Sequence, residues 1–390
     1  MGVGLAAIIV AAVFLYLAQH PPSSPPAPSA SKTAKDPTQE RAVPAAAPTP
    51  VATAAAVGGL WTRPPAEVAA RQSRRQGYAW IMRQLGASEE LLDRLANGEL
   101  ASVLRDLKKR AQSGDPAAVN ILGEFAYQAC YLGRSEEVLS GFESQQMAEA
   151  RVLSPDDESW LGAALHADVA HDKAVAGVCK QEIDFDEVLA KVATRAAGGD
   201  GASLWIMANA SDHMIDRNQR MRDAAAAGFP EAQFELAWTL IAERSHGGGV
   251  STNATDVGEL LRQASDSLPV AEGELAVCED AGCQGVTPNA ESAITHAREA
   301  AERGSIDALI SIGPHMPISV IDPDEVSAWS VVQAGLQQQG CVGSGFDVRS
   351  MKSMTRALNA ATITPNARSL ADQYWQEYGA QIRSNLGCTP

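Results

Sequence analysis

Glycine, alanine and a large aliphatic residue recur at a fixed spacing, and this pattern restricts the fold more than any other feature of the sequence. In three segments a glycine is followed four residues later by alanine and, after four more, by leucine or isoleucine: Gly114, Ala118 and Leu122; Gly228, Ala232 and Leu236; Gly304, Ala308 and Ile312. Residues four apart lie on one face of a helix, and a small residue beside a large one lets two helices approach closely. Glycine ends the preceding helix because it adopts the left-handed conformation at little cost. The pattern therefore predicts helical hairpins that cross at the alanines.

The same landmarks recur at the length of one helical hairpin. A fourth, poorer copy consists of Gly198, Ala202 and Ile206, and a fifth has Ser267 in place of glycine, followed by Ala271 and Leu275. The step from Gly228 to Ser267 is 39 residues, and the step from Ser267 to Gly304 is 37. Tandem hairpins of this length stack into a solenoid.

Helix start and stop signals support an all-α fold over residues 61–390. Ser154, Thr287 and Thr364 each precede a proline, as Asp322 does, and these four residues are expected to cap helices that begin at the proline. The glycines expected to end helices are Gly98, Gly114, Gly228, Gly304 and Gly387. Strand patterns are almost absent from this part of the sequence.

Residues 224–313 resemble the Sel-one-like repeats, an α-solenoid family related to tetratricopeptide repeats. The family pattern contains A-A-x-x-G, A-x-x-x-L-G, a glycine-x-glycine-valine loop and a second helix that carries alanines. Residues 267–313 match at Ala271, Leu275, Gly285, Val286, Ala293, Ala300, Ala301, Gly304, Ala308 and Gly313. The resemblance implies a right-handed α-solenoid of helical hairpins. It also implies an adaptor that binds other proteins, often in bacterial envelopes.

The N-terminal residues predict a membrane anchor. An apolar run extends from Gly2 to Ala18, and a helix of that length spans about 26 Å, the short end of a bilayer crossing. A cleaved signal peptide is the alternative. It normally begins with basic residues and ends with small ones, whereas no Lys or Arg precedes this run and Tyr16 lies near its end. We expect residues 1–20 to form an uncleaved anchor.

Residues 21–60 predict a disordered linker rich in proline and alanine. They contain no periodic apolar face, so they cannot bury enough surface to fold. A polyproline-like chain of this length reaches on the order of 100 Å. The anchor and linker together would hold the helical domain at a distance from the membrane.

Six cysteines lie beyond the linker, at positions 130, 179, 278, 283, 341 and 388. An even number in a chain that enters a membrane by its N-terminus favours an oxidising compartment and three disulfides. Six buried free thiols are the alternative. Helix parity predicts the pairs: alternate ends of antiparallel neighbours meet, so Cys130 pairs with Cys179 and Cys341 with Cys388, while Cys278 pairs with Cys283 across one turn.

Charge and side-chain spacing argue against most forms of chemistry. The net charge of −16 disfavours nucleic acid and anionic lipid as partners. His166 and His171 are five residues apart with Asp168 between them, which does not place two metal ligands on one helical face. We expect Asp184, Asp186 and Glu187 to lie at the start of a helix. The glycine-rich segments 198–201 and 340–346 are expected to be loops. We expect no catalytic, cofactor-binding or metal-binding residue, and we expect Trp205 and Trp238 to pack in the core.

These observations predict an inner-membrane protein whose helical domain lies in the periplasm and binds another envelope protein. A concave face formed by stacked hairpins would suit such binding. Two alternatives remain open: an inhibitor of an envelope toxin or hydrolase, and a cell-wall hydrolase, for which no clustered acid and base is evident.

Overall fold

The computed structural model describes residues 63–131, 136–211, 214–245, 257–283, 285–341, 348–357 and 363–388. The predicted anchor, 1–20, and linker, 21–60, lie outside these residues. The regular secondary structure of the described residues is helical, without strands. Its α-helices are α1 (Ala66–Met82), α2 (Glu89–Ala96), α3 (Leu100–Gln112), α4 (Pro116–Glu124), α5 (Glu136–Ala150), α6 (Pro155–Glu182), α7 (Phe185–Ala197), α8 (Gly201–Asn209), α9 (Met214–Ala226), α10 (Pro230–Ser245), α11 (Val257–Ser265), α12 (Pro269–Ala281), α13 (Ala290–Glu302), α14 (Asp307–Ile312), α15 (Pro323–Gln338), α16 (Val348–Ala357) and α17 (Pro365–Asn385). A π-helix (Phe125–Tyr131) continues α4, and a 3-10 turn (Gly313–His315) follows α14.

The predicted helix ends are confirmed at all five glycines. Gly98, Gly114, Gly228, Gly304 and Gly387 have φ values from 78° to 109°, the left-handed conformation that an L side chain rarely adopts.

Three of the four predicted caps are also confirmed, because Ser154, Asp322 and Thr364 accept backbone N–H hydrogen bonds at the starts of α6, α15 and α17. Thr287 is the exception. Asn289 caps α13 instead, and its Oδ1 accepts from the backbone N–H groups of Glu291 and Ser292.

The helices from α7 to α13 form a row in which each packs against the next. The landmark alanines lie at the contacts, and Ala118, Ala232 and Ala271 are fully buried. A Cβ placed on Gly273 of α12 would lie 3.2 Å from the Cβ of Ala308 in α14, so these two helices cross at van der Waals contact. The expected close crossing at Ala308 is confirmed.

The array continues beyond this row on both sides, and its C-terminal helices meet its N-terminal ones. One apolar cluster includes Leu139 of α5, Leu161 of α6, Ala334 of α15 and Met351 of α16. The backbone N–H of Val348 also donates to Gln146 Oε1 of α5 at 3.1 Å. The fold is therefore a helical-repeat array whose two ends share a core.

Helix α1 lies between the two ends of the array and packs against both. Ala69 and Ala70 belong to the cluster that joins the ends, whereas Ala79 and Met82 belong to the cluster of the central hairpins. The turn at Gly340 approaches the backbone of Ala69, and the turn at Gly387 approaches Ala79. The Arg75 guanidinium donates to the carbonyl oxygen of Gly387. The sequence does not predict that α1 fills this position.

Three disulfides brace the array. The Cα atoms are 5.3 Å apart in the pair Cys130–Cys179, 4.8 Å in Cys278–Cys283 and 5.6 Å in Cys341–Cys388. These are the pairs that helix parity predicts. The parity argument assumes a helix of roughly 155–171 with Cys179 just beyond its end. This assumption is wrong, because α6 extends to Glu182 and contains Cys179.

Among the described helices, none is both long enough and apolar enough to cross a membrane. Residues 1–20, for which the crossing is predicted, are not among the residues described.

Candidate functional site

Stacked hairpins are expected to form a concave face that suits protein binding. Helix α1 packs against several parts of the array, and seven of its residues are buried. The C-terminal part of α1 reaches the middle of the array. There the Trp80 indole nitrogen donates to Glu231 Oε1 at 3.3 Å, and Gln84 Nε2 donates to Glu231 Oε2 at 3.2 Å. Just beyond α1, Arg83 donates to the carbonyl oxygens of Ser384 and Asn385 at 2.9 Å each. One helix thus contacts both α10 and the end of α17.

The middle of α1 contacts α6 at Asp168 and His171, two of the three residues considered as metal ligands from the sequence. The Tyr78 hydroxyl lies 3.0 Å from His171 Nε2, and Arg74 lies 3.8 Å from Asp168. Burial raises the pKa of Asp168 to about 7 and lowers the pKa of His171 to about 4. His166 instead contacts Glu143 at 2.9 Å on the exposed surface. The two histidines therefore take separate partners, and the structure does not bring them together.

Three glutamates of α4 and α10 influence one another electrostatically: Glu124 and Glu231 are buried, and Glu235 is partly exposed. Burial raises the pKa of Glu124 to about 8, and the nearby charge of Glu235 adds to the shift. The pKa of Glu235 is also raised to about 8, by burial and then by Glu231, whose own pKa is raised by burial. Glu124 is 2% exposed, and its Oε2 has no hydrogen-bond partner among the described residues. Glu124 and Glu235 therefore favour the neutral form at neutral pH.

The acidic helix start and the glycine-rich turn have structural roles. Asp184 Oδ1 accepts from the backbone N–H of Glu187 at 3.1 Å and so caps α7. Asp200 caps α8 and also accepts from Asn120 at 3.1 Å and from Arg195 at 2.6 Å. Segment 340–346 can be followed only to Cys341, since 342–346 lie outside the described residues.

Two tryptophans, Trp205 and Trp238, are expected to pack in the core. Trp205 is 3% exposed and lies 5.6 Å from the ring of Phe229, as expected of a core residue. Trp238 is only partly buried, so the expectation that it packs in the core is wrong. Its hydrogen bond to Glu274 opposes the effect of burial, which raises the pKa of that carboxyl.

One group of side chains has the composition of a metal site. Single ligand atoms of Glu272, His296 and Glu299 all lie within 4.8 Å of one another, and it is the one such group within the described part of the chain. Glu272 belongs to α12 and the other two residues to α13. Burial raises the pKa of Glu272, and the carboxylate of Glu299 raises it further. Sequence reasoning missed this group, although the spacing of His296 and Glu299, three residues apart on one helix, was a usable signal.

A shallow groove between α3, α4 and α7 is too small for a sizeable ligand. Its volume is about 130 Å³, and Val119, Leu122 and Val188 form its apolar floor, with Lys108 and Lys191 among the residues at its rim. Ligand pockets typically occupy about 300 to 1,000 Å³.

Comparisons with known proteins identify similarity to solved repeat structures. The chain is similar to a Sel1 repeat protein from Oxalobacter formigenes, with 15% identity, a TM-score of 0.35, and coverage of 62% of this chain and 98% of that one. It is also similar to a protective antigen of uropathogenic Escherichia coli strains that displays an SLR fold, with 13% identity, a TM-score of 0.29, and coverage of 73% and 74%. No protein-family model matches the sequence, and a comparison with curated proteins gives no match. Overlaps at these scores carry no inference about function, so the helical-repeat description rests on the helices themselves.

Proposed function

We propose that this chain is a protein-binding scaffold of the bacterial cell envelope. In this proposal residues 1–20 anchor it in the inner membrane, residues 21–60 form a spacer, and the helical array lies in the periplasm. The observation that carries the proposal is the array itself, a set of packed helical hairpins braced by three disulfides. Stacked hairpins offer long, rigid surfaces for recognition, and structural disulfides persist in oxidising compartments.

The partner would bind on the outside of the array, because α1 fills the interior. Seven residues of α1 are buried, including the charged residue Arg75. A partner that entered the interior would have to displace these contacts. The net charge of −16 favours a partner with a basic contact surface.

The binding role is tested by recovering the full-length protein from crosslinked envelopes. The expected result is one partner at a stoichiometric ratio, and this result also includes an inhibitor bound to its toxin or hydrolase. Hydrolysis of peptidoglycan by the purified protein, in the absence of such a partner, would overturn the scaffold role and support an enzyme.

The location is tested separately, by labelling cysteines in intact cells before and after reduction. A periplasmic array should react with a thiol reagent only after reduction, because all six cysteines are paired. Six reactive thiols without reduction would exclude the oxidising compartment. Mass spectrometry of the mature protein tests the anchor, since a start between Gln19 and Thr33 would show that the apolar run is cleaved.

A further inference from the structure

We propose that Glu272, His296 and Glu299 bind a divalent transition-metal ion, with Zn²⁺ as the best fit. This proposal is independent of the proposed scaffold role. It concerns the hairpin α12–α13, whose two antiparallel helices place the three side chains against one another across their interface. Its support is the geometry of the ligand atoms, the orientation of the histidine and the charge of the group.

The ligand atoms converge from two helices. His296 and Glu299 lie three residues apart on α13 and share one face of that helix. Glu272 faces them from α12, and one ligand atom from each of the three lies within 4.8 Å of the others. An ion between them would need only small side-chain movements to reach the roughly 2.0 to 2.2 Å at which zinc binds nitrogen and oxygen.

The imidazole of His296 has the kind of carboxylate partner that metal-bound histidines have. Its Nδ1 lies 2.8 Å from Oε2 of Glu279, which is a second acidic residue on α12. A proton on Nδ1 is donated to this carboxylate, so Nε2 keeps its lone pair for a metal. Metal-bound histidines almost always donate their other N–H in this way, and the carboxylate fixes the ring and raises its basicity. Glu279 is therefore a positioning residue.

Arg303 binds one oxygen of the Glu272 carboxylate. Its Nη1 donates to Oε2 of Glu272 at 3.0 Å, while Nη2 donates to the carbonyl oxygen of Asp266. The guanidinium thus takes one carboxylate oxygen and leaves Oε1 of Glu272 available. It also holds the buried carboxylate in place, since the Glu272 residue is only 8% exposed.

The charge of the group matches a divalent cation. Glu272, Glu279 and Glu299 contribute three negative charges when ionised, and Arg303 contributes one positive charge, which leaves two in excess. One carboxylate oxygen of Glu272 and one of Glu299 lie within 4.8 Å of each other, and a cation between two carboxylates at this range offsets their repulsion. One imidazole and two carboxylates suit Zn²⁺, with water as a fourth ligand.

Titration of the full-length protein with Zn²⁺ tests the proposal. Isothermal calorimetry after treatment with a chelator should show one saturable site, and Co²⁺ should give a visible absorption band of a nitrogen- and oxygen-ligated ion. His296→Gln should weaken Zn²⁺ binding by at least tenfold. Glu279→Gln should weaken it by about 10 to 100-fold, as loss of an orienting partner does.

The matched control is His166→Gln. His166 also contacts a glutamate, Glu143, across two helices, but it belongs to no group of three ligands within the described residues. This variant should bind Zn²⁺ as the original chain does. Zn²⁺ should also raise the melting temperature of the original chain and of His166→Gln, but not that of His296→Gln.

Two results would overturn the proposal. One is the absence of saturable binding at millimolar Zn²⁺, which would mean that a shared proton alone separates Glu272 and Glu299. The other is an equal loss of binding in His166→Gln and His296→Gln while circular dichroism shows both variants folded, because it would assign the ion to adventitious surface histidines.

Discussion

Replacement of Gly340 by alanine tests whether the C-terminal turns hold α1. Gly340 has φ of 75°, and a Cβ added there would lie 2.9 Å from the carbonyl carbon of Ala69 and closer still to its oxygen. Gly228 is the matched control, because its φ is 81° and an added Cβ would meet nothing within 4 Å. The two substitutions therefore share the cost of a left-handed alanine and differ in the clash with α1.

The magnitude follows from these two contributions. A left-handed alanine costs roughly 1 to 2 kcal/mol, which is the whole expected effect of Gly228→Ala. A clash with backbone atoms in a packed interface adds about 1 to 3 kcal/mol, so Gly340→Ala should cost roughly 2 to 5 kcal/mol. The clash must be relieved by separation of the turn from α1, since neither partner atom belongs to a flexible side chain.

Chemical denaturation measures the loss of stability, and hydrogen exchange locates it. Gly340→Ala should lower the unfolding midpoint more than Gly228→Ala does, and it should increase amide exchange in α1 and at the N-terminal end of α6. Gly228→Ala should increase exchange near α9 and α10 only. Equal destabilisation by the two variants, with no change in α1, would show that the turn at Gly340 does not rest on this helix.

Three further predictions address the packing, the disulfides and the buried carboxyls. Ala308→Leu should cost about 1 to 3 kcal/mol by overpacking the crossing with Gly273, whereas Gln373→Ala on the exposed face of α17 should leave the melting temperature nearly unchanged. Conversion of Cys341 and Cys388 to serine opens a loop of 47 residues and should cost about 4 kcal/mol. The same change at Cys278 and Cys283 opens a loop of 5 residues and should cost about 2 kcal/mol. Urea denaturation compares the stabilities of the two variants. Burial raises the pKa of Glu124 from 4.5 to about 8, so its contribution to stability is complete below about pH 4.5 and is lost as the pH rises through 8. Glu124→Gln should therefore lose less stability than the original chain between pH 6 and pH 9, and parallel pH profiles would contradict the burial of a protonated carboxyl.

Local patterns predict the helices of this chain and the close crossings between them. Gly228, Ala232 and Leu236 lie within one turn and the helix that follows it, so their roles follow from helix geometry and the left-handed freedom of glycine. The disulfide pairs follow from the same local information, since the direction of each helix decides which ends meet.

Contacts between distant parts of the chain could not be predicted in this way. Arg75 is 6% exposed, and its guanidinium donates to Glu89, to Asp93 and to the carbonyl oxygen of Gly387, which is 312 residues away. From the sequence alone, in which these hydrogen-bond partners are unknown, the three arginines of α1 suggest a solvent-exposed helix face. The position of α1 depends on how the array curves, and the repeat pattern of a single sequence does not specify that curvature.

The placement of α1 also decides how a tether would act on the array. The predicted linker, 21–60, precedes α1 in the chain. Helix α1 contacts α6, the middle of the array at Glu231 and the turns at Gly340 and Gly387. A force along the linker would therefore reach both ends of the array at once through one helix. The Cys341–Cys388 disulfide joins the segments that carry these two turns, so it resists their separation around α1. We infer that a partner bound to the outer surface would be held by a rigid body, because the interior that could otherwise open is closed by the chain's own helix.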